Sequence, residues 1–148
     1  MYYTEQQLVD ALEDLREGAV DEEVEEAFSE HREETQGHVD RLEDIFQSLD
    51  MQPEASEDPI VDAVIEQHGE FVERDPDDKV LERYNVLAAR KSEHYGIASY
   101  GNLTPIAQEP GHDDIADRLE EIMREEQDAL DEVAQLDEEF DFGDIPAE

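Results

Sequence analysis

The stretch Glu30–Phe46, EHREETQGHVDRLEDIF, decides how this chain is read. Val24, Ala27 and Phe28 before it, and Leu42, Ile45, Phe46 and Leu49 in and after it, recur at i, i+3, i+4 and i+7. On a helix of about 3.6 residues per turn, that spacing draws one face roughly seven turns long. Midway, the same face passes through His31, Glu34/Thr35 and His38. An inward stripe that is apolar at both ends and polar in the middle is either one more solvated acidic face or one quarter of a metal site.

The other segments carry the same period. Leu8, Leu12 and Leu15 form a stripe with Val9 and Ala11 beside it, and stepping back from Leu8 by about 100° per residue brings Glu5 onto it. Gly18 marks a turn, and Asp21 suits the amino-terminal cap of the second helix. DMQPEASEDP, Asp50–Pro59, is a linker, with Pro59 opening a shorter third helix that bears Ile60, Val61, Val64, Ile65, Phe71 and Val72. ERDPDD ends it.

The fourth helix is predicted from about Lys79 to about Tyr100 and is apolar on two sides, as a central helix should be. Glu93 lies on one of those sides, with Tyr100 seven residues on and almost directly below it. YGNLTPIAQEPGHDD reads as a loop broken at Gly101, Pro105, Pro110 and Gly111. The last helix carries Ile115, Leu119, Ile122, Met123, Leu130 and Val133 on its stripe, with Glu126 near the centre and Asp128 facing solvent. Periodicity stops at Leu136, so residues 1–137 are read as one helical domain and residues 138–148 as an acidic tail.

Composition narrows the function. With 148 residues and 37% hydrophobic content the chain supports one modest core. Ten Lys and Arg against 46 Asp and Glu leave a formal net charge of -36. Helical periodicity favours a folded domain over a disordered acidic chain, and such a surface suits multimolar salt, where the screening length falls to about 3 Å at 1 M. The expectation is therefore a protein of a salt-accumulating halophile.

No basic stripe is present to neutralise phosphates, which argues against nucleic acid. No apolar run reaches membrane length and the amino terminus has no signal pattern, so a cytoplasmic location is expected. Cysteine is absent, so any metal must be held by carboxylate and imidazole. Nucleophile elbows, His-Glu-x-x-His and phosphate-binding loops are also absent.

Four long helices thus each carry one inward glutamate: Glu5, Glu34, Glu93 and Glu126. In a chain this acidic any one of them is weak evidence. Together, four buried carboxylates would cost several kcal/mol each unless protonated or balanced by cations. With so few Lys and Arg, metal is the natural partner, and carboxylate with imidazole between facing helices is the ligand set of iron and manganese bundles. His38 and His31 complete the candidate ligands, while His94, beside Glu93, is read as a supporting group. His68 and His112 are read as structural or surface residues, and Tyr95 and Tyr100 as core aromatics.

MYYTEQQL, EAFSEHREETQGHVDRLEDIF, ARKSEHYGIASYGNL and LEEIMREEQDALDEV together resemble the YciF/YciE-like family of the ferritin-like superfamily. The resemblance spans nearly the whole chain. It implies an all-α, ferritin-like four-helix bundle with an additional short helix, a homodimer, and a carboxylate-bridged dinuclear iron or manganese centre, with an association to stress responses.

Three departures stand out. The ferritin-like pattern is Glu-x-x-His, whereas Glu34 and His38 are four apart and Thr35 stands where the glutamate belongs, leaving Glu34 to act with either His38 or His31. Leu130 follows Glu126 where a second polar ligand would be sought, and Glu5 is close to a terminus that could fray. The functions in view are a peroxide- or oxygen-reactive metalloprotein fed by a separate electron donor, an iron store, and a metal-free scaffold that dimerises and binds a stress partner.

Overall fold

The computed structural model describes residues 1–140. It is all α: α1 (Tyr2–Glu17), α2 (Glu22–Ser48), α3 (Pro59–Val72), α4 (Asp78–Gln108) and α5 (Asp113–Glu139). Short turns join α1 to α2 and α4 to α5, so each pair packs as a helical hairpin, and α2 lies against α5. The shorter α3 packs on α4 and α1.

The helix starts follow capping chemistry. Asp21 accepts from the Glu23 amide at 2.8 Å, Asp58 from Ile60 at 3.0 Å ahead of Pro59, and Asp77 from Lys79 at 3.0 Å. Asp58 does more than cap, because its Oδ2 also accepts from Thr4 at 2.6 Å and Tyr95 at 2.7 Å. One carboxylate therefore ties the start of α3 to both α1 and α4. Buried Glu82 plays a similar part, accepting from the Val20 and Asp21 amides and holding the turn between α1 and α2.

Two apolar clusters form the core. One gathers Leu12, Leu15, Val24, Phe28, Val86, Ala89 and Val133, and the other Leu42, Ile45, Tyr100, Ile115, Leu119 and Ile122. Burying side chains of this size stabilises by about 1.5–3 kcal/mol each. In sequence, Thr4, Glu5, His31, Thr35, His38, Glu93 and Glu126 fall between the two clusters, which leaves a polar layer sandwiched by apolar packing, while Glu82 and Asn85 lie outside it, ahead of Val86 on α4.

Two boundaries differ from the sequence reading. The segment expected as a loop after Tyr100 continues as helix to Gln108, with Pro105 inside it. Leu103 and Ala107 pack against the second core cluster and carry the helix on. Pro105 supplies no amide for the carbonyl four residues back, which belongs to exposed Gly101, so the missing bond falls where water can replace it. At the other end, α5 runs to Glu139 rather than stopping near Leu136. Of the acidic tail expected over 138–148, residues 141–148 lie outside the described residues.

Candidate metal centre

α1, α2, α4 and α5 each project side chains into the polar layer. Glu5 is 1% exposed, His38 0%, Glu93 1% and Glu126 3%, with His31 buried beside them. Glu5 is not frayed, because α1 already begins at Tyr2 and the Tyr100 hydroxyl donates to Glu5 Oε1 at 2.5 Å.

His38 is the hub. Its Nδ1 lies 3.0 Å from Glu126 Oε1 and 3.7 Å from Glu5 Oε2, while its Nε2 is 2.9 Å from Glu125 Oε2. Glu5, His38 and Glu126 each offer a ligand atom, and those atoms all lie within 4.8 Å of one another. His31 Nε2 pairs closely with Glu93 Oε1, and its Nδ1 is 3.7 Å from Glu34 Oε2. Glu93 in turn faces Glu126.

Four of these buried atoms lack a hydrogen-bond partner: Glu5 Oε2, His31 Nδ1, His38 Nδ1 and Glu93 Oε2. His38 Nδ1 is near enough to Glu126 to attract it, yet not aimed as a hydrogen bond requires. Leaving a buried polar atom unpaired costs about 1–3 kcal/mol. Orphaned oxygen and nitrogen atoms of this donor set, held between two dry cores, fit a hard or borderline divalent metal, which takes the place of the imidazole protons on binding.

The titration behaviour follows the crowding. Burial by itself would lower His31, but the Glu34 and Glu93 carboxylates outweigh it and push it up to about 10. His38 likewise resists burial through Glu126 and Glu5 and is also pushed up to about 10. Burial raises Glu5 above its ordinary range despite His38, and burial with nearby Glu93 raises Glu126. Burial and the adjacent Glu5 carboxylate raise the Tyr100 phenol, which stays a donor.

Glu34 does not join the buried layer. Its side chain is 35% exposed, and Thr35 occupies the inward position and donates to the His31 carbonyl at 2.8 Å. Glu34 instead stands at the rim, where it, His38 and Glu125 form a second, more open group. His94 is exposed and supports nothing in the layer. The position expected to matter at Leu130 is half-buried, and the buried residue after Glu126 is Ala129.

Sequence reasoning missed Glu125 and Arg41. Arg41 clamps Glu125 with two nitrogens, Nη1 to Oε1 at 3.0 Å and Nη2 to Oε2, and Glu125 in turn holds His38 Nε2. Burial would raise Glu125, but Arg41 and His38 keep it below the usual carboxylate range. The signal was present, since Glu125 sits three residues after buried Ile122 and four before buried Ala129.

An all-α helical bundle with a buried layer of carboxylates and imidazoles is the class that fold and site define. The chain belongs to the DUF892 family, whose model, described as a domain of unknown function, matches residues 1–140. Protein YciF of Escherichia coli K12 is 32% identical over 126 residues, covering 84% of this chain and 76% of YciF. Among solved structures, YcfI of Rhodopseudomonas palustris superposes with a TM-score of 0.86 at 35% identity, covering 90% of this chain and 85% of that one. The crystal structure of the E. coli stress protein YciF gives 0.85 at 31% identity, covering 92% and 86%.

Proposed function

We propose that the protein is a ferritin-like metalloprotein in which Glu5, His31, His38, Glu93 and Glu126 hold a dinuclear iron or manganese centre, with Glu125 and Glu34 at its rim. The observation that carries this reading is the set of four orphaned, buried ligand atoms between two apolar cores. Such a metal pair, when bound, supplies redox cycling toward peroxide or dioxygen.

The protein's own residues do the positioning. The Tyr100 hydroxyl orients Glu5 by holding one oxygen and leaving the other turned inward. Glu125, clamped by Arg41, holds His38 Nε2 and so directs Nδ1 toward Glu5 and Glu126; a carboxylate behind a ligating imidazole fixes ring and tautomer in this way. His31 and Glu93 pair across α2 and α4, linking the two hairpins. The flanking apolar clusters keep water from the layer and strengthen its electrostatics.

Likeness to a stress protein supports a role in a stress response. We place that role in the cytoplasm, in a homodimer served by a separate electron donor; these 148 residues contain no cysteine to ligate an iron–sulfur group. No described helix is long and apolar enough to cross a membrane.

A metal-free scaffold that binds a stress partner is the second reading. It is favoured by the direct pairing of both imidazoles with carboxylates, which balances charge without metal. Elemental analysis of protein purified in multimolar salt from iron- and manganese-supplemented cells separates the two. The metal reading expects about two ions per chain, falling by half or more in Glu126→Ala and Glu93→Ala. Asp128→Ala should keep full content and Glu34→Ala most of it. Content near zero after anaerobic reconstitution would leave the scaffold.

A further inference from the structure

Between α1, α3 and α4 lies a cavity of about 60 Å³ that touches the buried layer at His31 and Glu93. Leu8 and Leu12 of α1, Val64 and Ile65 of α3, and Ala89 of α4 make its walls. The wall's other polar groups have partners: His68 Nε2 is 2.6 Å from Asn85 Oδ1, and the Ser92 hydroxyl donates to the Ala88 carbonyl at 3.2 Å. Exposed Asp14 also borders it, so the lining joins solvent-facing and buried groups.

Size and chemistry restrict the occupant. One water needs roughly 10–15 Å³ and benzene fills an engineered apolar cavity of about 150 Å³, so this space suits a molecule of a few heavy atoms, smaller than benzene. Peroxide would surrender most of its hydrogen bonds to water on entering a chamber whose wall is mostly apolar and polar chiefly at its His31–Glu93 edge, at a cost of a few kcal/mol. Dioxygen has none to surrender.

We infer that this cavity, completed by α3, is a dioxygen-holding pocket serving the His31–Glu93 end of the buried cluster. The inference rests on the metal-centre reading for the use made of the gas, while its test uses metal-free protein.

The experiment is methyl relaxation of the metal-free full chain under raised dioxygen pressure, where the dissolved paramagnetic gas marks the sites it visits. Leu12 and Ala89 methyls should be enhanced roughly threefold or more over those of Leu119 and Ile122, which are as buried but do not line the cavity, and half-buried Val64 and Ile65 should follow them. Ala11→Leu, at a half-buried lining position, should bring them down to that baseline. If that variant misfolds, xenon titration of the unchanged protein replaces it, with shifts expected at the same four residues.

Uniform enhancement across buried methyls, enhancement that survives Ala11→Leu, or xenon shifts elsewhere would each overturn the inference. Enhancement at the pocket in a protein that never takes up metal would defeat the metal-centre reading and leave the pocket standing. Metal near two per chain with no enhancement would do the reverse.

Discussion

His31 and His38 are held by carboxylates strongly enough to overcome their own burial, and this has a consequence for pH. Each imidazole titrates near 6.5 when unfolded, and each is pushed up to about 10 in the fold. A raised pKa contributes stability that is complete below 6.5 and is lost as pH climbs through 10. Glu5 and Glu126, raised above the ordinary carboxylate value of 4.5, act in the same direction, since the fold favours their neutral forms. The urea midpoint of metal-free protein at fixed salt should therefore fall between pH 6.5 and 10. A flat or rising midpoint would mean that the imidazoles stay neutral in the fold. Metal displaces the same protons, so its affinity should climb over this window.

At this scale, legibility was limited by about 100° of helix rotation between neighbours. Periodicity could say that residue 34 or 35 faces inward and not which, and Thr35 took the place at the expense of Glu34. On α5, Glu126 lies on the buried stripe and Glu125 at its edge, and each reaches a different nitrogen of His38.

Among the elements, the approach of α4 to α5 sets the layer's dimensions, and Gly96 permits it. A Cβ at Gly96 would lie 2.7 Å from Glu126 Oε2 and 3.0 Å from its Cδ, so any side chain there displaces the carboxylate. Because the obstructing atoms end a flexible side chain, Gly96→Ala should fold with a midpoint within about 1 kcal/mol of the original. Its metal affinity should drop about tenfold, because a ligand carboxylate has lost its place. Isothermal titration with manganese reads this directly, and unchanged affinity would remove Glu126 from the ligand set. The run of α4 through Pro105 belongs to the same scale: breaker residues predicted a loop, and packing of Leu103 and Ala107 on the core overrode them.

For the whole molecule, the net charge of -36 governs stability. Most of the few arginines are already engaged, as where Arg16 and Arg32 meet Glu13, or Arg90 meets Asp137, leaving most acidic side chains to repel one another. Raising KCl shortens the screening length from about 10 Å at 0.1 M to about 3 Å at 1 M and should raise the melting temperature by ten degrees or more. Thermal unfolding followed by circular dichroism across that range tests it, and a salt-independent transition would remove the case for a salt-adapted surface.

The sequence by itself determined the succession of five helices, the Asp21 cap and the order of apolar, polar and apolar turns, because these follow from spacing and local hydrogen bonding along one chain. It also placed Glu5, His31, His38, Glu93 and Glu126 on inward stripes. Only the tertiary structure decided that Tyr100 holds Glu5, that Arg41 and Glu125 brace His38, and that α3 closes a cavity against His31. Those relations join residues up to 95 positions apart. Their geometry depends on how the hairpins rotate and approach, which no single helix encodes.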